Sequence, residues 1–594
     1  MAYPSETTNT LIAFAEQLKS RDSNWQTFRE ELAELFLPNR QGFLGDETAG
    51  SERMDRILSS APLLARRGLA TAVSTMLRPP GRPWFSAQAF DERLNMSSDV
   101  RQWCEIVSSI TYDAMYDPRA HMEANLAQAD DDLVTFGTAI VRVGWDTKER
   151  HLKYKARSLN GVYLIADSVG EINGAIVEYP DYTLRQIIER FGEQNLTEQM
   201  KGDLQSSRPD LEKKYPLLHT CIPAKDAARF DIQVPGKGFE YVSVWTSVTD
   251  RQHLSIGGYY EFAYLTPRWD TTSGEIYGRS PAMVALNDAR LLQAMTEDFI
   301  EAGHLALRPP TYSAMDMING PLELWAGGHT QINMLGAQGN AEPIRAIQMG
   351  ALPQGIADFM SAVEQRIGAA FFRDVLELPS AREKDLTATE INARLDQYMR
   401  QAAPVFTRIE HNYNAPHVNR VFSILSRAGM YPDPPPEIQG QPVKFTYESP
   451  IKVARQKAEA LKIIEGMQML LPSAQAFPSL LDNFNPDALA RITGAKLDLP
   501  ESLFTPVKQM EAMRAERAKQ MKINQLAELA QKAGPALAQM GGLIPKSAQA
   551  GLIPQGQGGG GGMPPPDLGF DLEGAVNEGM NSVDDFMSEQ MGGA

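Results

Sequence analysis

Three consecutive carboxylates, Asp130, Asp131 and Asp132, are the residues whose type and spacing first suggest chemistry in this chain. Carboxylate oxygens are preferred ligands of hard divalent cations, and a nuclease could use such an ion to cleave DNA. Consecutive residues of a helix point in different directions, so at most one or two of the three could share an ion. The pattern therefore favours a solvated helix face. A metal-dependent nuclease, inactivated by Asp→Ala changes, is kept as an alternative.

The histidines and cysteines form no pattern typical of a metal or nucleophile site. His411 and His417 lack the i, i+4 spacing of a helical zinc site, and Pro416 interrupts the segment between them. Cys104 and Cys221 are the only cysteines, so neither a disulfide framework nor a cysteine zinc site is expected. We predict structural histidines and inert buried thiols, which suit a reducing cytosol.

Glycine-rich phosphate-binding motifs are missing as well. The Gly-Lys-Gly run at 236–238 lies in a β-rich region with no helix after it, so it predicts a hairpin turn. The sequence contains neither a Walker-type motif nor a nucleophile elbow. It therefore predicts no enzyme, no cofactor and no metal site.

The composition is that of a large acidic protein. Its 594 residues exceed what one core accommodates, so several domains are expected. The formal net charge of −17 and the pI of about 5.1 argue against an electrostatic grip on nucleic acid, although DNA could pass without being held. The N-terminus lacks a basic start and a sustained apolar run, so we expect no signal peptide. No apolar run is long enough to span a membrane.

Any functional site must be positioned by the surrounding helices and strands. The central predicted helix covers residues 276–308, IYGRSPAMVALNDARLLQAMTEDFIEAGHLALR. Ser280 is a favourable N-cap, Pro281 suits the first helical position, and Pro309 and Pro310 end the helix. Apolar residues recur at helical spacing: Val284, Leu291, Leu292, Met295, Phe299 and Ala302. A helix of this length with one narrow apolar stripe needs neighbours along its whole length.

Two further helices are predicted downstream. Residues 353–373 place apolar side chains on one face, namely Ile356, Phe359, Met360, Val363, Ile367 and Ala370. A helix over 387–400 begins with Thr387 and Glu390, which have the spacing of a capping box. Residues 374–385, DVLELPSAREKD, form a charged connection between these two helices. Residues 309–350, before them, are a Gly- and Pro-rich insertion with short β-like runs.

The rest of the chain predicts an α+β fold in which helices predominate. Helices are expected at 7–20, 23–37, 62–77, 97–116, 119–135, 182–191, 197–205, 405–429, 452–470, 486–493 and 506–532. Short β-rich runs bounded by Gly and Asn occupy much of 137–269, and the strand VKFTYES follows a Pro-rich turn. Beyond residue 534 the composition predicts flexible linker and tail.

Two specific runs resemble a known family. YGRSPAMVALNDARLLQAM at 277–295 and TATEINARLDQYM at 387–399, with long helices flanking a compact insertion, resemble the portal protein, or head-to-tail connector, of short-tailed (podovirus) phages. The resemblance extends from the N-terminal helices to about residue 530. It implies a portal fold assembled as a dodecameric ring with a central channel. The implied parts are wing 1–275, stem helix 276–308, clip 309–352, stem helix 353–373, tunnel loop 374–386, wing return with tunnel helix 387–450, crown helices 451–533 and flexible tail 534–594.

The same resemblance implies three sets of site residues. The tunnel loop would bring Glu377, Arg382, Glu383 and Lys384 to the channel, where the basic pair touches DNA phosphates transiently and the acids prevent a firm grip. The clip interface would use Leu322, Leu324, Trp325 and Ile332. Packing of the stem would use Val284, Leu291, Met295, Phe299, Phe359, Val363 and Ile367.

The function implied is that of a conduit at the unique capsid vertex, through which double-stranded DNA is packaged and ejected. Implied partners are further copies of the chain, the major capsid and scaffolding proteins, the terminase packaging ATPase, tail adaptor and tail proteins, internal core or ejection proteins, and weakly held DNA. The expected location is the virion, with the host cytoplasm during assembly. The alternative is a structural adaptor or scaffold protein of the virion, which would form monomers or dimers without a channel.

Overall fold

The computed structural model describes residues 5–40, 42–43, 54, 57–81, 83–232, 236, 238–315, 323–333, 344–347, 355–373, 407–447, 459–460, 462–464, 466–470, 485–497, 503–505 and 509–524. The chain forms two compact units, Met1–Pro506 and Val507–Ala594. Helices and strands are mixed in the first unit. In the second unit, residues 509–524 are helical and their side chains are nearly all exposed, within the predicted helix 506–532.

Except for the short α8, which the sequence did not predict, the helices lie close to their predicted positions. They are α1 (Ser5–Arg21), α2 (Ser23–Phe36), α3 (Ala61–Leu77), α4 (Ser98–Met115), α5 (Met122–Phe136), α6 (Leu184–Phe191), α7 (Glu198–Leu204), α8 (Ala224–Ala227), α9 (Pro281–Leu307), α10 (Ile356–Ala370), α11 (Ala415–Arg427) and α12 (Pro486–Lys496). The predicted helix over 387–400 lies outside the described residues. Within the part of the chain that is described, no helix combines the length and apolarity needed to cross a membrane.

Among the described residues, the strands fall into four small sheets. They are β1 (Phe85–Ala89), β2 (Ile140–Asp146), β3 (His151–Arg157), β4 (Val162–Ala166), β5 (Ile172–Thr183), β6 (Lys214–Pro223), β7 (Tyr241–Ser247), β8 (Gln252–Tyr259), β9 (Tyr264–Leu265), β10 (Thr311–Met315), β11 (His329–Asn333), β12 (Ile344–Ala346) and β13 (Val443–Tyr447). The strand orders are β4-β5-β6-β7-β8, β3-β2-β9, β11-β10-β12 and β1-β13. Nearly all neighbours are antiparallel; the exception is β10 beside β11.

The five-stranded sheet is buried on both faces. At its centre, Cys221 of β6 pairs with Ala175 of β5 and Ser243 of β7. Successive side chains of a strand face opposite sides, so each strand serves both faces. One face packs against α1 through Leu18, and the other contributes Trp245 to the main core.

The main core lies between α2, α3, α5, the first half of α9 and the end of α10. Phe36, Val73, Leu133 and Leu292 are each fully buried in it. The ring of Phe371, just after α10, lies 5.6 Å from that of Phe36. Full burial of one such side chain contributes about 1.5–3 kcal/mol to stability. Because the first half of α9 packs in this core, the core fixes the direction of α9.

A two-stranded sheet joins distant parts of the chain. Phe85 of β1 lies opposite Tyr447 of β13, and Ala89 lies opposite Val443. The other edge of β1 is covered by α4, because Ser108 Oγ accepts a hydrogen bond from the N–H of Ala87 at 2.8 Å.

Candidate functional site: the root and the exposed faces of the long helix

Ser280 connects the start of α9 to the end of α5. Its hydroxyl oxygen accepts a hydrogen bond from the N–H of Met283 at 3.1 Å, and the hydroxyl donates to the carbonyl of Thr135 at 2.7 Å. Pro281 occupies the first helical position, where no N–H is needed. The predicted cap is therefore confirmed. The bond to Thr135 is a second tie, which the local sequence pattern does not reveal.

Two glycines allow the backbone before α9 to touch the backbone after α5. A Cβ on Gly137 would lie 2.3 Å from the carbonyl oxygen of Gly278, and a Cβ on Gly278 would lie 2.2 Å from that of Gly137. Gly137 also has φ +74°, a left-handed conformation that favours glycine. Thr138 Oγ1 accepts a hydrogen bond from the N–H of Gly278 at 2.8 Å and fixes the contact.

Tyr277 joins the same root to the first two helices. Its hydroxyl donates to Asp22 Oδ2 at 2.6 Å, and the Arg29 guanidinium lies 4.2 Å from its ring centre. Burial raises the pKa of Tyr277 to about 12, so the phenol stays neutral and can donate. The run Tyr-Gly-Arg-Ser-Pro before α9 is thus a docking element, in which each of these residues except Arg279 contacts the interior or begins the helix.

The buried face of α9 is built from small residues. It consists of Pro281, Ala282, Ala285, Leu286, Ala289 and Leu292. Alanines allow α2, α5 and α10 to approach closely. The predicted apolar stripe lies mostly outside this face, because Val284 is 75% exposed and Leu291 is 38% exposed. Leu292 is the member of the stripe that is fully buried.

The second half of α9 has no buried face within the subunit. From 293 to 307 none of its residues is fully buried. Met295 is half-buried, while Phe299 is 41% and Leu307 is 83% exposed. Exposed apolar side chains along two or more turns are uncommon on a soluble monomer and mark an interaction surface.

Helix α10 divides its apolar residues between the subunit and its surface. Val363 and Ile367 are fully buried within the subunit, whereas Phe359 is 47% exposed. Arg366 pairs with Asp288 of α9 at 2.8 Å. The two helices therefore form one packed pair, and Phe359 stays on its outside together with the exposed residues of α9.

The described residues of the predicted clip include a three-stranded sheet, whose first strand directly follows α9. A turn before β11 is hydrogen-bonded back to the helix end, since the N–H of Gly327 donates to the carbonyl of Arg308 at 2.9 Å. This turn displays Leu324, which is 48% exposed, and Trp325, which is 61% exposed. Ile332 lies in β11, opposite Ala314 of β10.

The remaining predicted interface residues lie outside the described part of the chain. These are Leu322 of the clip and Glu377, Arg382, Glu383 and Lys384 of the predicted tunnel loop. Their predicted roles stay predictions.

The three consecutive carboxylates of α5 are not the solvated face that the sequence predicts. Asp130 and Asp132 are fully buried, and each of the three is paired with an arginine from a preceding segment. The pairs are Arg78–Asp130, Arg66–Asp131 and Arg40–Asp132. The solvated-face prediction is wrong because arginines far away in sequence cover this face.

Burial dominates the protonation of these carboxyl groups. Loss of solvation raises the pKa of both Asp130 and Asp132 to about 6, against the opposing effect of their arginines. An arginine pairs with one oxygen of each of the three carboxylates, and no group of three potential metal ligands is found among the described residues. The arrangement braces α5 against α3 and does not favour the nuclease alternative.

The histidines and cysteines occupy the positions expected of structural residues. His417 is buried, its Nε2 lies 2.8 Å from the Tyr154 hydroxyl, and burial lowers its pKa to about 3. His411 is exposed. Cys104 and Cys221 are buried, and burial raises the pKa of each thiol to about 11, which keeps them unreactive.

The Gly-Lys-Gly run lies in a connection longer than a tight hairpin. It joins β6 to β7, which are antiparallel neighbours, and includes α8. Gly236 has φ +98° and Gly238 has φ +94°, while Lys237 lies outside the described residues. The run therefore lies between two antiparallel neighbouring strands, as predicted for a hairpin, but the connection is longer than expected.

The exposed faces of α9 and α10 and the turn before β11 are therefore candidate docking surfaces. Comparison with known proteins identifies the family of the chain. The family model of the bacteriophage head to tail connecting protein matches residues 8–504. The chain belongs to this family. The match includes α1 to α12, with the root of α9, the clip sheet and α10.

Named relatives agree with membership of the head-to-tail connecting family. The probable portal protein of Bordetella phage BPP-1 is 26% identical over 537 residues, which are 88% of this chain and 94% of the relative. The portal protein of Salmonella phage epsilon15 is 23% identical over 531 residues, which are 88% and 93% of the two chains. The predicted portal function and virion context are confirmed at the level of the family.

One solved structure is similar to this head-to-tail connecting protein at a lower level. A chain of the virion of a native gene transfer agent particle is 9% identical, covers 77% of this chain and 96% of its own length, and has a TM-score of 0.34. That score is too low to support conclusions about the fold.

Sequence reasoning missed the residues that attach the long helix. Tyr277 and Gly278 stand within the run that carries the family resemblance, but their partners Asp22 and Gly137 are distant in sequence. The dense run of Tyr, Gly, Arg, Ser and Pro before a helix was the available signal. Local patterns indicate a cap, whereas they do not identify what the cap touches.

Proposed function

We propose that the chain is one subunit of a closed ring of identical copies, twelve by resemblance to the family, which surrounds a channel for double-stranded DNA at one capsid vertex. The observation that supports this most is the exposed apolar surface of the α9–α10 pair. A ring closes through a heterologous contact, in which one face of each subunit meets a different face of the next. The exposed second half of α9 suits such a contact.

The proposed stem separates residues by role. Val363 and Ile367 hold α10 to its own subunit, and Arg366 ties it to Asp288. Phe299 and Phe359 are left for the neighbouring subunit. Because the root of α9 is fixed by Ser280, the direction of the helix is set before assembly and does not depend on the neighbour.

The proposed clip is a docking platform for the packaging motor first and for the tail adaptor and tail proteins later. Leu324 and Trp325 are displayed on a turn that is hydrogen-bonded to the helix end, which limits the entropy lost on binding. Tryptophan is among the residues that most often dominate interface energies. Leu322 and Ile332 complete the proposed clip surface.

The proposed tunnel loop contacts DNA without gripping it. Arg382 and Lys384 would touch phosphates in passing, while Glu377 and Glu383 would keep the wall from holding on. Each phosphate that is neutralised adds binding free energy and would slow translocation. Reversing the charges of Arg382 and Lys384 should therefore alter DNA packaging or retention, and unchanged packaging and retention would count against their contact role.

Further partners in this proposal are the major capsid protein, the scaffolding protein and internal core or ejection proteins. Assembly would take place in the host cytoplasm. The chain would act without turnover, so the packaging ATPase would be a different chain. A non-portal adaptor or scaffold protein is the second candidate, and the relatives named above do not favour it.

Electron microscopy of the purified chain, with its mass measured in parallel, tests the ring. We expect rings with a stain-filled centre and a mass near that of twelve subunits. Because the charge of −17 is repeated in every subunit, salt or Mg²⁺ should favour assembly by screening the repulsion. A monodisperse monomer at every ionic strength and Mg²⁺ concentration would contradict the proposed ring.

Two substitutions separate assembly from folding. Phe299→Glu should abolish rings and leave the urea-unfolding midpoint of the subunit unchanged, because Phe299 is half-exposed. Ile367→Ala should lower the free energy of unfolding by about 2–5 kcal/mol, because it creates a cavity in the subunit core. Glu301→Gln, at an exposed polar position of α9, is the control that should change neither.

A further inference from the structure

Two basic side chains stand opposite each other in the sheet of β3, β2 and β9. Arg142 of β2 pairs in register with Lys155 of β3, and their side chains share the face that carries Tyr264 of β9. Like charges at opposed positions destabilise a sheet. The chain contains 74 acidic and 57 basic residues, so a shortage of carboxylates does not explain the pair. Such departures from local stability are expected at functional positions.

Three arginines meet at two aromatic rings beside this pair. The ring centres of Tyr179 and Trp245, both buried, lie 5.0 Å apart. The Arg157 guanidinium lies 3.9 Å from the ring centre of Tyr179, and the Arg190 guanidinium lies 4.0 Å from that of Trp245. The Arg142 guanidinium lies 5.7 Å from the same Trp245 centre. Stacking on a ring orders a guanidinium and leaves the N–H groups at its edge able to bind a planar anion.

Four neighbouring cations lack a carboxylate partner among the described residues. We call them the basic cluster: Arg142, Lys155, Arg157 and Arg190. The arginines of the cluster donate to two phenol hydroxyls and one main-chain carbonyl, at 3.0–3.3 Å. By contrast, Lys153 on the same face of β3 pairs with Asp146 at 2.5 Å. The sheet therefore supplies a carboxylate to one cation of this face and leaves the charge of the basic cluster uncompensated.

We propose that the basic cluster binds an extended acidic segment of a partner protein. Lys155 and Arg157 are two residues apart on one strand, so they project from the same face about 7 Å apart. Carboxylates at alternate positions of an extended segment have the same spacing. An arginine binds a carboxylate through two parallel hydrogen bonds, which would neutralise the charge that the sheet leaves uncompensated.

The burial of the basic cluster favours a polypeptide over a DNA duplex. Arg142 and Arg157 are half-buried at the junction of the two sheets, where the carboxylate of a single side chain reaches them more easily than the broad surface of a double helix. The net charge of −17 also opposes a long polyanion. A short segment responds mainly to charges within about 8 Å, the screening distance at physiological salt. This binding does not depend on the proposed ring.

Fluorescence anisotropy with the full chain tests the proposal. The probe is a labelled short peptide of alternating Glu and Ser, and its counterpart with Gln in place of Glu is the neutral control. We expect only the acidic peptide to bind at moderate ionic strength. Lys155→Gln should weaken its binding about fivefold, and adding Arg190→Gln should raise the loss to at least about twentyfold, because charge-assisted hydrogen bonds are removed.

The matched control is Lys148→Gln. It removes the same charge from the turn between β2 and β3, at least about 14 Å from Lys155 along the strand. The affinity should change by less than about twofold, because salt screens charges at that distance. Both lysines are exposed, so neither change should alter the urea-unfolding midpoint of the subunit.

Three results would overturn the proposal. Equal losses in Lys155→Gln and Lys148→Gln would show a nonspecific attraction to the net positive charge of the hairpin. Equal binding of the acidic and neutral peptides would show that carboxylates are not recognised. Binding of a short DNA duplex, sensitive to Lys155→Gln, without binding of the acidic peptide would make the basic cluster a nucleic-acid site.

Discussion

Gly278 and Gly137 approach each other so closely at the root of α9 that neither position has room for a side chain. One precedes the longest helix of the described residues and the other follows α5. The contact brings two main chains together where Ser280 already bonds to Thr135. The long helix is therefore anchored by backbone as well as by side chains.

A methyl group at this contact should destabilise the subunit, whereas one farther along α9 should stabilise it. Gly278→Ala would place its Cβ 2.2 Å from the carbonyl oxygen of Gly137, so we expect the free energy of unfolding to fall by at least about 2 kcal/mol. Gly303→Ala meets no atom within 4 Å and should raise it by about 0.5–1 kcal/mol. Urea unfolding of the unassembled subunit measures both. Equal effects at the two positions would contradict the close contact.

Loss of the cap at Ser280 should cost more than loss of a serine that does not cap. Ser280→Ala removes the bond from Met283 and the bond to Thr135, each of which contributes about 1 kcal/mol. Ser60 precedes α3, but its side chain makes no capping bond, so Ser60→Ala should change the unfolding free energy by less than about 0.5 kcal/mol. Similar losses in the two variants would mean that the hydroxyl of Ser280 is not what holds α9.

Removal of one partner from a buried ion pair should be severe. Arg78→Met leaves the Asp130 carboxyl without its cation, and we expect a loss of about 3–5 kcal/mol in the free energy of unfolding. Arg185 pairs with Glu212 at the surface, where both side chains are 64% exposed, so Arg185→Met should cost about 0–1 kcal/mol. If Asp130→Asn then restores most of the stability lost in Arg78→Met, the unpaired carboxylate is the cause.

The subunit should lose stability in mild acid through His417. Burial lowers its pKa to about 3 in the folded state, while the unfolded side chain has a pKa of about 6.5. Below pH 6.5 the unfolded chain therefore binds a proton that folded His417 does not. Between pH 7 and pH 5 this removes about 2 kcal/mol. His417→Gln should show that much less loss over the same interval, and His411→Gln, at an exposed position, should behave like the unaltered chain.

Much of the fold could be predicted from local patterns. Helix α9 was located through Ser280, Pro281 and the prolines that follow it, because capping and helix termination depend on adjacent residues. Its interior face could not be predicted in the same way. Ala282, Ala285 and Ala289 bury little area each, so a search for large apolar residues selected the exposed side with Val284.

The ion pairs between the three aspartates of α5 and their arginines could not be predicted from the sequence, for a related reason. Asp130 lies 52 residues from Arg78, and nothing in the local pattern of either residue identifies the other. The same limit applies to Tyr277 and Asp22, which are 255 residues apart. The interface roles predicted for other residues stay predictions. Phe299, Phe359, Leu324 and Trp325, which the sequence singled out, are all substantially exposed.

The sheet of β1 and β13 can form only late in the synthesis of each subunit. Gln88 and Thr446, which bond across it, are 358 residues apart. At 5–20 residues per second, a ribosome needs roughly 20–70 s to synthesise that interval. Until then β1 has no strand partner, and Arg78 has no Asn414 to bond. The N-terminal part of the fold is therefore completed only after β13 has been synthesised. If synthesis stopped before residue 443, the edge of β1 that pairs with β13 would be exposed to other proteins in the cell.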